Sequence, residues 1–391
     1  MNRRIFITQA ATSTAVIANA HTSAPDVGEP LPLVTTPPVV MAPRMDGAEI
    51  VWGVSRHARG WVEVKRAAEM QRFGGTAFGF STQSDKALRV RLTGLDEGME
   101  FTYRTVTEAM AGPATVETSE WRTSRTLHAK AKTTHFAVWN DTHLHDDTIA
   151  QLHAQTPSVD FLLWNGDICN DWVKDEIIIP ALLHPAGTDF TAQRPLVFVW
   201  GNHDLRGAYG YHLQDYAASP EGRSYFAFRS GPVAVVCLNT GEDKADAHPS
   251  FKGRVACEPL RREQAKWLRD HVMTAPELRY APYRIVFCHL PVRWKDESGE
   301  GTYDGFSKRS RDLWHDALVQ WGAQVVISGH THEHHWMDAT KEFPYAQLIG
   351  GGPTPDTATI IEGDANATRL RLTMRALDGK QLLQQDVKST L

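Results

Sequence analysis

Hydrophobic positions along the 391-residue chain change their rhythm near residue 130. Between 39 and 124 they alternate with period two. The stretches 49–54, 61–65, 88–92 and 101–106 each read as a strand with one buried face, and Gly and Asp fall between them as turns require. Several short strands with no helical period predict a small β-sandwich. Residues 123–134 are polar, with Arg122, Arg125, Lys130 and Lys132 in or beside them, and read as a connection. From His135 onward, apolar runs recur at 136–139, 161–164, 196–200, 233–238, 285–288 and 325–327. Leu260, Trp267, Leu268 and Val272 fit one face of a helix, and Trp314, Ala317, Leu318 and Trp321 fit a face of a second. Near-continuous apolar strands covered by helices predict an α/β layered domain over 133–391. After Gly350-Gly351-Gly352, strands at 359–361, 370–374 and 382–387 are expected to complete a sheet of that domain. Ahead of both parts, residues 21–38 carry Pro25, Pro30, Pro32, Pro37 and Pro38 and read as an extended linker.

Composition narrows the function without choosing it. A hydrophobic fraction of 42% and a charged fraction of 22% suit a globular chain that builds its core without staples. The net charge of -5 argues against stable nucleic-acid binding, which calls for a basic stripe, and leaves a nucleotide substrate open. Cys169, Cys237, Cys257 and Cys288 show no CxxC spacing and read as small buried side chains, with one bridge left open. No transmembrane segment is expected, because no run reaches 18 unbroken apolar residues. At the N-terminus, Arg3-Arg4 precedes a short, weakly apolar stretch that ends at Ala18-Asn19-Ala20. This resembles a bacterial twin-arginine signal over residues 1–20, which implies export of an already folded protein to the periplasm or beyond.

The chemistry lies at the strand ends. Asn140-Asp141-Thr142-His143 follows the run at 136–139, and Asn165-Gly166-Asp167 follows 161–164. Gly201-Asn202-His203-Asp204 follows 196–200, His289 follows 285–288, and Ser328-Gly329-His330-Thr331-His332 follows 325–327. Sites in layered α/β folds form outside the carboxyl ends of strands. Carboxylate, imidazole and amide oxygen in such number suit transition-metal ions.

In this order, Asp-x-His, Gly-Asp, Gly-Asn-His-Asp, His and Gly-His-x-His resemble the five blocks of the metallophosphoesterase, or calcineurin-like phosphoesterase, superfamily. The resemblance implies a layered β-sandwich flanked by helices. It implies two metal ions per chain, Fe, Mn or Zn. Asp141, His143 and His332 would hold one metal, Asn202, His289 and His330 the other, and Asp167 would bridge them. His203 would face the substrate and Asp204 would orient it. The implied reaction is hydrolysis of a small phosphate ester by a hydroxide held between the metals, with His203 assisting the phosphoryl or leaving oxygen.

Leu92-Thr93-Gly94-Leu95, Gly98 and Phe101-x-Tyr103 resemble the fibronectin type III pattern, so 39–124 is expected to be such a domain. That layout, with Gln264-x-x-Trp267-Leu268, resembles the purple acid phosphatases. Two positions depart from them: Asn170 stands where they carry the tyrosine that colours the ferric site, and His143 replaces a different residue. No purple colour is expected.

His145 and Arg206 are candidate substrate contacts, each set against a surface reading. His334 and His335 read as surface or supporting residues. Asn170 and Asp171 either touch substrate or cap a turn. Trp294 and Tyr303 are placed at the pocket mouth. A phosphomonoesterase is the first expectation. A phosphodiesterase or nucleotidase with the same site stays open, since loops at 171–195, 241–257 and 294–312 set substrate choice. A non-catalytic binding or adhesion protein is opposed by the intact ligand set, and a protein phosphatase by export.

Overall fold

The computed structural model describes residues 31–66, 69–295 and 306–390. The signal read at 1–20 and the linker up to residue 30 lie outside them. The amino-terminal part is all β: β1 (Val39–Arg44), β2 (Gly47–Gly53), β3 (Ala58–Arg66), β4 (Glu69–Phe73), β5 (Gln83–Ser84), β6 (Ala87–Arg91), β7 (Glu100–Ala109), β8 (Val116–Thr118) and β9 (Arg122–Arg125). The α/β part follows with β10 (Thr134–Trp139), β11 (Phe161–Asn165), β12 (Leu196–Val199), β13 (Phe226–Ser230), β14 (Val233–Leu238), β15 (Tyr283–Cys288), β16 (Val325–Ser328), β17 (His335–Met337) and β18 (Ala346–Ile349). It closes with β19 (Thr359–Ala365), β20 (Arg369–Ala376) and β21 (Gln381–Lys388). The helices are α1 (Asp146–Gln155), α2 (Ile178–Leu183), α3 (Leu213–Tyr216), α4 (Cys257–Trp267), α5 (Pro276–Arg279) and α6 (Phe306–Trp321).

Among the described residues these strands form three sheets. One runs β21-β20-β19-β10-β11-β12-β1-β2-β6, the second β13-β14-β15-β16-β18-β17, and the third β4-β3-β7-β8 with β5 on β3 and β9 on β7. Period-two alternation explains the layering. Phe136 and Val138 of β10 point into a core shared with Val235, Phe287 and Ile327 of the second sheet. Ala137 and Trp139 point the other way, to Leu152 of α1 and Leu182 of α2. The far face of the second sheet is covered by Ala265 and Trp267 of α4 and by Trp314, Ala317, Leu318 and Trp321 of α6. Two sheets therefore face each other between helical layers, and β19 to β21 complete the first as expected. All four cysteines are buried and free. Among the described residues no helix is long and apolar enough to cross a membrane.

Two boundaries move. The connection expected at 123–134 overlaps β9, and the sheets do not part at residue 124. β1 lies parallel beside β12, with Met41 opposite Leu196. Val40 enters a sandwich core with Ile50, Trp52, Val62 and Tyr103, while Val39 and Met41 enter the helix-side core of the α/β part. A strand buried on both faces shows no alternation, so the sequence pattern could not mark it as shared. The linker also ends early. Leu33 is buried, and the N–H groups of Leu33 and Val34 donate to the Glu117 carboxylate at 2.7 and 3.0 Å.

Candidate metal centre

The parallel strands β10, β11 and β12 of the first sheet and β15 and β16 of the second end at one edge, and their loops interlock. Asp141 N–H donates to Gly166 O at 3.3 Å, His143 N–H to Asp167 O at 3.0 Å, and Gly329 N–H to His289 O at 2.9 Å. The Asp141 carboxylate accepts the His330 N–H at 2.9 and 3.0 Å, and Asp167 Oδ1 accepts the His203 N–H at 2.9 Å. Tight loops make this possible. A Cβ on Gly329 would stand 2.2 Å from Asp141 Oδ2, and one on Gly201 would stand 2.2 Å from Asp167 Oδ1. Asp141, His143, Asp167, His330 and His332 all adopt positive φ, between 45° and 72°. Side-chain residues in that region carry backbone strain, and here it coincides with the expected ligands.

The side chains converge in two groups: Asp141, His143 and His332, and Asp167, His289 and His330, with the potential ligand atoms of each within 4.8 Å of one another. Asp167 Oδ2 stands between them, 3.1 Å from His289 Nε2 and 3.7 Å from His143 Nε2. Asp141 Oδ1 lies 3.7 Å from His289 Nε2 and 3.5 Å from His332 Nε2. The Nε2 atoms of His143 and His332 face each other at 3.1 Å. Two nitrogens each about 2 Å from one cation stand about 3 Å apart. His289 Nδ1 donates to Asn165 O at 2.7 Å, leaving Nε2 directed at Asp167. His330 Nδ1 and Asn202 Oδ1 are 2.9 Å apart. His143 Nδ1 is buried with no hydrogen-bond partner among the described residues. Converging lone pairs in a buried pocket fit metal ions better than they fit one another.

Charge inside this pocket is displaced far from its solution balance. Burial works against the charged form of His289, but Asp167 and Asp141 outweigh it and lift its pKa to about 10. For Asp167, burial is outweighed by the His289 charge, and the carboxyl is held well below its usual range. Burial lowers His143 to about 4 and His330 to about 3, which keeps both rings neutral.

The residues around the cluster include some not expected there. Asp204 does not orient His203. The short turn that carries it points its carboxylate back to the N–H groups of Gly201 and Asp167, each at 2.9 Å, and of Ile168 at 3.2 Å. It ties two loops together, and burial with the Asp167 charge pushes its carboxyl up to about 7. His203 donates from Nδ1 to Asn170 O instead, which leaves Nε2 4.0 Å from Asp167 Oδ2. Arg206 is no free surface arginine. It pairs with Glu242 through Nε at 3.1 Å and Nη2 at 2.9 Å, reaches Asp243 at 2.9 Å, and sets Nη1 2.9 Å from His203 Nε2. Glu242 and Asp243 were missed, although they follow β14 as the other site residues follow their strands. His145 is exposed at the N-terminus of α1, with no side-chain contact to the cluster among the described residues. Asn170, Asp171 and His334 are exposed, His335 stacks on Trp294 with ring centres 6.1 Å apart, and Tyr303 lies outside the described residues.

The chain is similar to several known proteins. A model of the calcineurin-like phosphoesterase family matches residues 134–334. Serine/threonine-protein phosphatase CPPED1 of Pongo abelii is 30% identical over 139 residues, 35% of this chain and 41% of that protein. The Bos taurus protein of the same name is 25% identical over 195 residues, 48% of this chain and 58% of its own length. The chain thus spans 41% and 58% of the length of these two relatives. The purple acid phosphatase PPD1 of yellow lupin superposes with a TM-score of 0.67 at 13% identity, over 90% of this chain and 74% of that one. PhoD superposes with a TM-score of 0.61 at 12% identity, over 90% and 91%. Likeness at such identity concerns the fold.

Proposed function

Because this chain belongs to the calcineurin-like phosphoesterase family, we propose that it is a metal-dependent hydrolase of phosphate esters, with two metal ions per chain and a preference for phosphomonoesters. The observation that carries the reading is the position of Asp167 Oδ2 between two groups of ligand atoms. In the proposed site Asp141, His143 and His332 would hold one cation, Asn202, His289 and His330 would hold the other, and Asp167 would serve both. Such a pair of cations supplies charge neutralisation for the phosphoryl group and a water acidified enough to attack near neutral pH.

The chain's own residues do the rest. Asn165 O fixes the His289 ring through Nδ1–H, and Asn170 O fixes His203 in the same way. His203 Nε2, 4.0 Å from Asp167 Oδ2, accepts from Arg206 Nη1 at 2.9 Å; exchanging that bond for a proton would let it donate to a phosphoryl oxygen or to the departing alkoxide. Arg206, locked by Glu242 and Asp243, limits the ring's rotation.

Monoester preference is supported by the phosphatase names of the relatives. The relatives' name favours a second reading, in which the ester is a phosphoserine or phosphothreonine of a protein. We keep two finer proposals. Export rests on Arg3-Arg4 and the stretch behind them, and a fibronectin type III-like module at 39–124 rests on its sandwich core. The deciding experiment compares p-nitrophenyl phosphate, bis-p-nitrophenyl phosphate and a phosphoserine peptide, with metal content measured on the same sample. About two metals per chain and fastest monoester turnover are expected. Faster diester turnover moves the substrate class, and absence of bound metal removes the reading.

A further inference from the structure

Behind His203 lies a cleft of 600 Å³, a size typical of ligand sites and far larger than one phosphate group needs. His203, Arg206, Lys244, Lys252, Arg254 and Asp171 line it. Its cations fall into two kinds. Arg206 and Lys244 are already paired, Arg206 with Glu242 and Asp243, and Lys244 with both oxygens of Asp243 at 2.7 and 2.9 Å. Lys252 and Arg254 are exposed. No carboxylate pairs with either among the described residues, and Arg254 makes only a 3.4 Å contact from Nη2 to Ser250 O. The turn that presents them is anchored. Phe251 is buried, Lys252 adopts a φ of 50°, and the Arg254 N–H donates to Phe251 O at 3.0 Å. Two unpaired cations thus sit on a fixed turn, in the same cleft as the residue that faces the reacting phosphate. Asp171 is the single carboxylate in the lining.

We propose that Lys252 and Arg254 bind a second phosphate group of the substrate, so that the preferred substrates are small bisphosphates rather than simple monoesters. This rests on the hydrolase reading above. Guanidinium and ammonium both suit phosphate, and charge-assisted bonds at a partly enclosed site exceed the worth of an open surface pair.

The test uses the metal-loaded full chain with propyl and hexyl phosphate against propane-1,3-diyl and hexane-1,6-diyl bisphosphate. At least one bisphosphate is expected to show a KM about tenfold below its monoester, beyond the factor of two from having two ester groups. Lys252→Ala with Arg254→Ala should bring that ratio to within about twofold, as should raising salt from about 50 to about 500 mM. The proposal is overturned if neither bisphosphate beats the factor of two, or if the preference survives the double substitution. If no ester is turned over, the hydrolase reading alone fails; calorimetric Kd ratios for the same ligand pairs then decide the subsite by the same criteria.

Discussion

Asp167, His289 and His330 lie beside Asp141, His143 and His332, yet the two groups are held differently. In the first, all three side chains are buried, and the His289 ring is fixed through its outer nitrogen, Nδ1, by Asn165 O. In the second, the His332 side chain is 43% exposed and His143 Nδ1 has no partner among the described residues. A ring fixed by its far nitrogen needs no reorganisation to accept a cation; a ring without such a bond must be ordered when the cation arrives. The buried group should therefore hold its metal tightly and the open group should exchange it.

The largest expected effect comes from the residue both groups share. Asp167→Ala should lower p-nitrophenyl phosphate turnover by at least about a thousandfold and reduce the content of both metals. A variant that kept one metal and substantial turnover would show that Asp167 serves one group only. Next come His289→Ala and His332→Ala. With a chelator titrated against the loaded protein, one metal should leave well before the other. His332→Ala should weaken the early-leaving metal by about 10–100-fold and spare the late one. If His332→Ala loosened the late metal instead, the ranking drawn from burial and hydrogen bonding would be reversed.

The buried group also predicts how pH acts on the metal-free protein. His289 is raised to about 10 from an ordinary 6.5, so its contribution to stability is complete below 6.5 and is lost as pH climbs towards 10. Asp167 is lowered, so its contribution is present above 3.8 and is lost only in acid. The metal-free melting temperature should thus fall by a few degrees between pH 6.5 and 9.5. If a cation meets His289 Nε2 in the loaded protein, the ring stays neutral and the profile should be flat over that range. Equal slopes with and without metal would mean that His289 does not meet the cation.

How well the sequence foretold each region follows from the same contrast between local and distant partners. The candidate ligand residues stood out because each lies just past an apolar strand, with a glycine beside Asp167, Asn202 and His330, and both features are local. Nothing local showed that β10 to β12 and β15 to β16 belong to different sheets whose ends meet. The sandwich strands β2, β3, β6 and β7 were legible from alternation, whereas β1, buried on both faces, shows none and was not marked as a strand within the region expected to be a sandwich. The resemblance assigned Asp204 to His203, while its partners are the N–H groups of loops 36 and 37 residues upstream and of Gly201. Glu242 escaped notice because its role appears only through Arg206, a residue 36 positions away.

That last pair yields the smallest predicted effect. Arg206 meets Glu242 through two nitrogens, reaches Asp243, and turns its remaining edge to His203. A lysine keeps the charge but has one nitrogen, so it cannot brace Glu242 and His203 together. Arg206→Lys should lower kcat about tenfold with KM changed by less than about threefold and metal content unchanged, because the loss falls on the orientation of His203 and not on either metal group. If the change appeared in KM alone, Arg206 would be a direct substrate contact. If metal content fell with it, the Glu242–Arg206–His203 chain would be part of the metal groups and not of the cleft beside them.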